Sequence, residues 1–415
     1  MSPTLILFVF FLAYSAEYLI STILLIMNLY NSLANGDIIP PFIRDIRSAK
    51  QYEKTVSYTQ RRGKFSLLTS SFMTILTAFI ILEEIPSRIL IILETLGWHP
   101  YWEGIFYLLL LTGLSSLISL PFSLYSQFVI EEEYGFNKMT FRLYFTDMIK
   151  NIFLSVFLFI PLFLGLFLFI DKSGSLWWLY GYLFFTAFQL LLSLIYPLVI
   201  APIFNKFSEL EDGPLRERLF ALAEKTSFKA SGIYVMDGSR RSAHSNAYFT
   251  GFGKARRIVL FDTLIKQLSH EELEAVLAHE IGHFKKKHIL KRLIFSLAFA
   301  FFLFYGLSLI LYYAPLYRAF GFMEASLPAL LVILSFLIGP ISFFLKPISS
   351  LFSRRDEYEA DRFAAEVLMN HRPLANALVT LSKENLSNLT PHRMYSAFHY
   401  SHPVLSERIA ALEKQ

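Results

Sequence analysis

The sequence predicts an α-helical polytopic membrane protein, with about seven transmembrane helices and one α+β domain inserted between them. Of its 415 residues, 54% are hydrophobic and 17% are charged, whereas an average soluble domain has about 25% charged residues. The apolar residues fall in runs long enough to cross a bilayer, which takes about 20 residues of helix. In contrast, residues 203–290 are mixed, charged and rich in turns, so we expect them to lie in water.

Seven apolar runs are the candidate spans, and their approximate bounds are 4–28, 65–85, 104–127, 150–170, 176–200, 291–313 and 328–347. The first is expected to be a span and not a signal peptide, because it lacks a positive leading segment and a small-residue cleavage signal. The spans divide the chain into an N-terminal membrane region of five spans, the inserted domain, two further spans and a C-terminal helical region: 1–202, 203–290, 291–347 and 348–415.

Positive charges in the loops predict the orientation, because cytoplasmic loops are enriched in Lys and Arg. Seven such residues follow the first span and three follow the third, whereas spans two, four and six are each followed by one. This alternation predicts an outside N-terminus, with the inserted domain and the C-terminal region in the cytoplasm. The C-terminus carries no dilysine retrieval signal, so a bacterial inner membrane and an endoplasmic reticulum membrane are both compatible with the sequence.

The charge distribution and the absence of cysteine limit which partners and which metal ligands the protein can use. The net charge of +5 sits mostly in loops beside the spans, where it sets orientation, so membrane lipid is an expected partner and nucleic acid is not. The chain has no cysteine, which excludes disulfides and thiolate ligands. A metal would therefore have to bind His and carboxylate.

The inserted domain is predicted to contain short helices and short strands. Helical spacing runs from Leu215 to Ser227, and a short strand is expected over Gly232–Met236. Two segments rich in aromatic and β-branched residues, Ala247–Phe252 and Arg257–Phe261, are separated by a turn-length gap and predict a hairpin. A helix then begins at Ser269, where Ser269 and Glu272 form a capping box before an apolar run.

That helix carries an H-E-x-x-H motif, formed by His279, Glu280 and His283. Residues four apart lie on one helix face, so both imidazoles can bind one Zn²⁺ while Glu280 reaches a water as general base. One zinc per chain is expected, and a catalytic site of this kind needs a third protein ligand.

Glu357 is the best candidate for the third ligand. Glu357 and Asp361 are four residues apart on a helix after the last span, so they share one face. Asp361 is then placed to accept a hydrogen bond from the second ring nitrogen of one histidine, which fixes its tautomer. Taken alone, these carboxylates would fit a solvated helix face with Arg354 and Arg362. The zinc motif favours the metal interpretation.

Eight histidines lie outside the zinc motif. His399 and His402 lie in a short run of aromatic and polar residues, and spacing does not decide between structural and catalytic roles for them. The rest occur singly in loops or basic stretches and are expected to be surface or interfacial residues: His99, His244, His270, His288, His371 and His392.

Several segments together match one family. They are Val129–Asn137, Pro202–Phe207, Asn246–Phe249, the zinc motif, Ser353–Asp361 and His399–Pro403 with Glu407 and Arg408. On these segments the chain resembles the integral-membrane CAAX prenyl proteases, zinc peptidases of the gluzincin type that trim farnesylated proteins such as prelamin A and the yeast a-factor precursor.

The resemblance implies a fold and further site residues. It implies seven helices arranged as a barrel around a large water-filled chamber, with the zinc site of a zincin-type catalytic domain facing it. It implies that His402 is catalytic, stabilising the oxyanion, and that Arg408 lies beside it, orienting the substrate or a neighbouring carboxylate. Asn246, with Ala247 and Tyr248 in the strand that follows, would form the edge against which the peptide lies.

Two other functions fit the sequence less well than a protease. A transporter would carry ionisable residues within several spans, but only Glu17 stands out here. A scaffold with structural zinc would have no use for Glu280, and such sites close with four protein ligands. Within the protease interpretation, two substrate classes are open: prenylated CAAX proteins, from which C-terminal residues are removed, and membrane proteins cleared by quality control without prenyl groups.

Overall fold

The structure is a computed structural model that describes residues 1–35, 49–229, 231–250 and 256–414. Its helices are α1 (Pro3–Ala34), α2 (Ala49–Leu82), α3 (Ile85–Glu94), α4 (Pro100–Tyr125), α5 (Glu131–Glu133), α6 (Phe141–Lys172), α7 (Trp177–Ile195), α8 (Ala201–Phe204), α9 (Pro214–Lys225), α10 (Asp262–Gln267), α11 (His270–Lys285), α12 (His288–Ile310), α13 (Ala314–Ala319), α14 (Leu327–Leu368), α15 (Arg372–Glu384), α16 (Arg393–His399) and α17 (Leu405–Leu412). The strands are β1 (Phe207–Glu209), β2 (Gly232–Met236), β3 (Ala247–Thr250) and β4 (Arg257–Phe261).

Seven helices in the described part of the chain are long and apolar enough to cross a membrane, which confirms the predicted polytopic helical fold. In six of them, at most 17% of the most apolar window is buried by protein, against 44% in α14. Apolar side chains therefore point outward, the reverse of a soluble protein, and a bilayer would cover them. The contrast makes α14 the central helix of the membrane region.

Several helices continue well beyond the apolar windows that predicted them. The second begins at residue 49, earlier than the predicted bound of 65, and the third continues through a π-helical turn at Ser126–Ile130 into α5. Most notably, α14 runs for 42 residues and crosses position 347 without a break. The last span and the carboxylates expected after it therefore lie on one continuous helix.

The polar domain contains a four-stranded sheet of order β1-β2-β4-β3. Strands β3 and β4 pair antiparallel, which confirms the predicted hairpin, although its turn at 251–255 lies outside the described residues. Strand β2, which was predicted, pairs parallel with β4 and antiparallel with β1. The short strand β1 was not predicted from the sequence. Strand β3 consequently occupies one edge of the sheet.

Apolar packing joins this sheet to the helices that follow it. The domain core contains fully buried residues of α9, α11, α14 and α15, represented by Leu219, Ile281, Ala364 and Ala377, together with strand residues such as Ile258. The N-terminal part of α14 packs in the separate core of the membrane helices, whereas its C-terminal end belongs to this core. One continuous helix therefore connects the membrane region to the sheet domain.

Candidate metal centre and active site

Helix α11 presents the H-E-x-x-H motif, and its start is fixed as the sequence predicted. The Ser269 hydroxyl accepts a hydrogen bond from the Glu272 amide at 3.3 Å, and the Glu272 carboxylate accepts one from the Ser269 amide at 2.8 Å. This capping box satisfies two otherwise unpaired amides of the first turn. Two turns later, the Nε2 atoms of His279 and His283 lie 3.2 Å apart, as expected for imidazoles on one helix face.

A close helix crossing brings the carboxylates of α14 to these histidines. A Cβ atom added to Gly282 would lie 3.0 Å from the Cα of Ala360 and 3.1 Å from its carbonyl oxygen. The two backbones therefore touch at this point, and glycine is what allows it. Ala360 lies between Glu357 and Asp361, which are 3% and 2% exposed, so both carboxylates meet the motif.

Ligand atoms of three residues converge: His279, His283 and Glu357. Besides the 3.2 Å separation of the histidine nitrogens, Nε2 of His283 is 3.2 Å from Oε1 of Glu357, and Nε2 of His279 is 3.5 Å from its Oε2. A tetrahedral zinc with bonds of about 2.0 Å has ligand atoms about 3.3 Å apart. Glu357 Oε2 is also buried without a hydrogen-bond partner. The donor set fits a metal ion.

Asp361 contacts the ligand His279, and Arg408 in turn contacts Asp361. Nδ1 of His279 is 2.8 Å from Oδ1 of Asp361, so the neutral ring that binds a metal keeps its proton on Nδ1 and turns the Nε2 lone pair toward the ligand cluster. Burial acts to lower the pKa of His279, but the carboxylates of Asp361 and Glu357 outweigh it and raise the pKa to about 9. Such a site favours a cation.

Arg408 was predicted to orient either the substrate or a neighbouring carboxylate. In the structure it contacts a carboxylate, that of Asp361. Its Nε and Nη2 atoms donate to the two carboxylate oxygens of Asp361 at 2.8 and 2.6 Å, and Nη1 is 3.5 Å from Glu357. Arg408 is only 8% exposed. This bidentate pair holds the carboxylate in a fixed orientation.

Glu280 follows His279 on α11 and is half-buried. Burial raises the pKa of its carboxyl group, and positive charge on His279 and His283 acts in the opposite direction. A carboxylate whose pKa is raised toward neutrality is a more effective proton acceptor and donor. The position and the environment therefore both suit a general base.

His402 lies in the turn before α17, with Nε2 3.5 Å from Oε1 of Glu357 and its side chain 63% exposed. It lines a cavity of about 1110 Å³ together with Arg408 and Asn246. Apolar residues of α1, α2 and α4 also line this cavity, among them Leu25, Phe65 and Phe122. An exposed imidazole beside the ligand cluster can thus reach a molecule bound in the cavity.

The predicted peptide-binding residues lie at the edge of the sheet. Asn246 is exposed and accepts a hydrogen bond from the Ala247 amide at 2.8 Å. Ala247 and Tyr248 belong to β3, which is an edge strand and packs beside α11. Ala247 packs partly into the domain core, and neither it nor Tyr248 lines the cavity that Asn246 shares with His402.

One expectation about the remaining histidines is wrong. His288 was expected at the surface or an interface, but it is 1% exposed, and its Nδ1 is 3.0 Å from Nδ1 of His283. The only signal in the sequence is a third histidine five positions after the motif. A single spacing of this kind does not indicate burial, because the burial depends on a turn at Lys287 that pattern analysis did not predict.

Comparison with known proteins agrees with this arrangement. Residues 28–206 match the family model described as CAAX prenyl protease N-terminal, five membrane helices, and residues 209–415 match peptidase family M48. The chain is 39% identical over 384 residues to the CAAX prenyl protease 1 homolog of Arabidopsis thaliana, covering 90% of each. It is 36% identical to CAAX prenyl protease 1 of Saccharomyces cerevisiae, covering 90% of this chain and 88% of the relative.

A solved structure is similar over almost the whole chain. The crystal structure of S. mikatae Ste24p superposes with a TM-score of 0.90 at 33% sequence identity, covering 99% of both chains. Sequence, fold and the converging His, His and Glu side chains therefore agree. This chain belongs to the CAAX prenyl protease group of peptidase family M48 and is a multi-pass membrane metalloprotease.

Proposed function

We propose that the protein is a zinc-dependent metalloendopeptidase that holds one Zn²⁺ per chain between His279, His283 and Glu357. The observation that carries this proposal is the convergence of three side chains, with the two imidazole Nε2 atoms 3.2 Å apart and each of them 3.2 to 3.5 Å from one carboxylate oxygen of Glu357, close to the edges of a zinc tetrahedron. Three protein ligands leave a fourth position open, as hydrolytic zinc sites require.

The chemistry is divided between the ion and the chain. When bound, zinc lowers the pKa of a water molecule and polarises the scissile carbonyl. Glu280 accepts the proton of the attacking water and delivers it to the leaving amine. His402 donates a hydrogen bond to the carbonyl oxygen as negative charge develops there. Asp361 holds the ring of His279, and Arg408 holds Asp361.

The substrate peptide is proposed to bind along β3. An edge strand has unpaired main-chain groups, so an extended peptide can add to it through hydrogen bonds that do not depend on side chains. Asn246, Ala247 and Tyr248 would contact the peptide main chain. The position of β3 at the sheet edge, beside α11, supports this assignment.

The proposed substrates are proteins with a prenylated C-terminal CAAX sequence, from which the enzyme removes C-terminal residues. Two observations support this class: the names of the relatives and the apolar residues in the cavity beside His402, which suit a prenyl chain. Membrane lipid is the expected surrounding partner. Quality control of membrane proteins without prenyl groups is the alternative substrate class.

Cleavage of a farnesylated CAAX peptide by the purified protein in detergent tests the proposal. We expect cleavage that stops with a zinc chelator and returns when zinc is added back. The matched control is the same peptide without the farnesyl group. Equal cleavage of both peptides would favour the quality-control alternative, and undiminished cleavage in chelator would refute the zinc mechanism.

We also propose the orientation that the loop charges predict, with the sheet domain and the C-terminal helices in the cytoplasm. The excess of Lys and Arg after the first and third spans supports an outside N-terminus, and seven spans then imply a cytoplasmic C-terminus. The host membrane would be the bacterial inner membrane or the endoplasmic reticulum membrane.

A further inference from the structure

His288 is a buried histidine in direct contact with a proposed metal ligand. Lys287 takes a left-handed conformation, with φ of 59°, and this turn folds the start of α12 back onto the end of α11. A non-glycine residue rarely adopts that conformation. The result is that His288 is 1% exposed, with its Nδ1 3.0 Å from Nδ1 of His283.

The partners of His288 determine which nitrogen carries each proton. Its Nε2 lies 3.2 Å from Oε2 of Glu359 and 3.5 Å from Oδ1 of Asp356. Carboxylates only accept hydrogen bonds, so the proton of His288 lies on Nε2 and its Nδ1 carries a lone pair. That lone pair accepts the Nδ1 proton of His283, which leaves Nε2 of His283 free to bind a metal.

The two carboxylates are themselves held in place by arginines. Arg292 donates to Asp356 at 3.0 Å, and Arg355 donates to Glu359 at 3.3 Å. A continuous chain of polar contacts therefore runs from the surface through Asp356 and Glu359 to His288, and from there to His283. It meets the ligand cluster at His283, whereas Asp361 meets the cluster at His279.

We propose that His288 is a positioning residue that fixes the ring and tautomer of His283 for zinc binding. This inference rests on the proposed role of His283 as a ligand. Each histidine ligand would then have its own support: Asp361 directly for His279, and His288 with Asp356 and Glu359 for His283. Outer-shell partners of this kind orient the ligand and make it more basic, and their loss typically costs 10- to 100-fold in metal affinity.

Zinc affinity, measured by competition with a chromophoric chelator on the purified full chain, tests this role. We expect His288→Leu to lower the affinity by about 10- to 100-fold. His288→Asn should recover part of this loss, because its amide oxygen can take the place of Nδ1 as acceptor. His270→Leu is the matched control, since His270 is exposed on the same zinc helix.

A second variant tests the same chain of contacts from its far end. The double substitution Asp356→Asn/Glu359→Gln leaves His288 in place but removes the two negative charges beside its Nε2 atom. Zinc affinity should therefore fall. Adding this change to His288→Leu should cause little further loss, because coupled residues are not additive. The double substitution also serves if His288→Leu does not fold, which thermal unfolding in chelator would reveal.

The outcomes separate this inference from the proposed function. If Glu357→Ala loses zinc while folded His288→Leu binds it as tightly as His270→Leu, His288 has no positioning role. Equal losses in His288→Leu and His288→Asn, with full additivity of the carboxylate changes, would also overturn it. If Glu357→Ala keeps full zinc affinity, the proposed ligand set itself is wrong.

Discussion

Glu280 is the side chain whose substitution separates metal binding from chemistry. Gln has nearly the same shape but cannot accept a proton, so Glu280→Gln should retain one zinc per chain. Turnover should fall by a factor of about 100 or more, the usual contribution of a general base. Elemental analysis and peptide turnover on the same preparation measure both. Retained zinc with near-normal turnover would contradict the assignment.

His402 provides the second residue-scale prediction. A donor to the developing oxyanion acts mainly in the transition state, so His402→Ala should lower kcat by roughly 100-fold, with little change in KM. Zinc content should be unchanged, because His402 is not part of the proposed ligand set. His270→Ala is a control at an exposed histidine. A rise in KM at constant kcat would instead make His402 a substrate-binding residue.

At the scale of elements, the crossing of α11 and α14 determines whether the ligands meet. Gly282→Ala places a methyl group against the backbone of Ala360, so the helices must separate by some tenths of an ångström. We expect zinc affinity to fall by about tenfold, in the range of other changes that misplace ligands. Chelator competition measures it.

The control for this substitution is Gly306→Ala in α12. A Cβ at Gly306 meets nothing within 4 Å, and alanine is the better helix former by up to about 1 kcal/mol. Its zinc affinity should equal that of the unchanged protein. If Gly282→Ala is also silent, the close crossing does not control the metal centre.

These elements also show how far sequence patterns reach. Apolar runs, the capping box and the four-residue spacing of the zinc motif are local signals, and all three features were predicted. The contact of Gly282 with Ala360 joins residues distant in the chain, and the position of His288 depends on the left-handed turn at Lys287. Neither the helix contact nor the burial of His288 can be predicted from local periodicity, because both depend on tertiary packing.

At the scale of the whole molecule, topology is the property to test. Reporter fusions at Gly213 and after Gln415 should both report the cytoplasm, and a fusion near Gly97 should report the opposite side. The reason is the excess of Lys and Arg after the first and third spans. Opposite results from the first two fusions would contradict the seven-span arrangement.

The length of α14 has a consequence for which bonds can be cut. Helix rises about 1.5 Å per residue, so Glu357 lies about 45 Å along α14 from Leu327, or about 15 Å more than the thickness of the hydrocarbon layer. One continuous helix thus contains both the last membrane span and the proposed metal ligand Glu357, which sets the distance of the proposed active site from the bilayer. A substrate can be held in the bilayer by its own lipid group. The number of residues between that lipid group and the scissile peptide bond then decides whether the bond can reach the proposed metal site. Selection by distance would let one enzyme process many unrelated sequences while ignoring the same sequences free in solution.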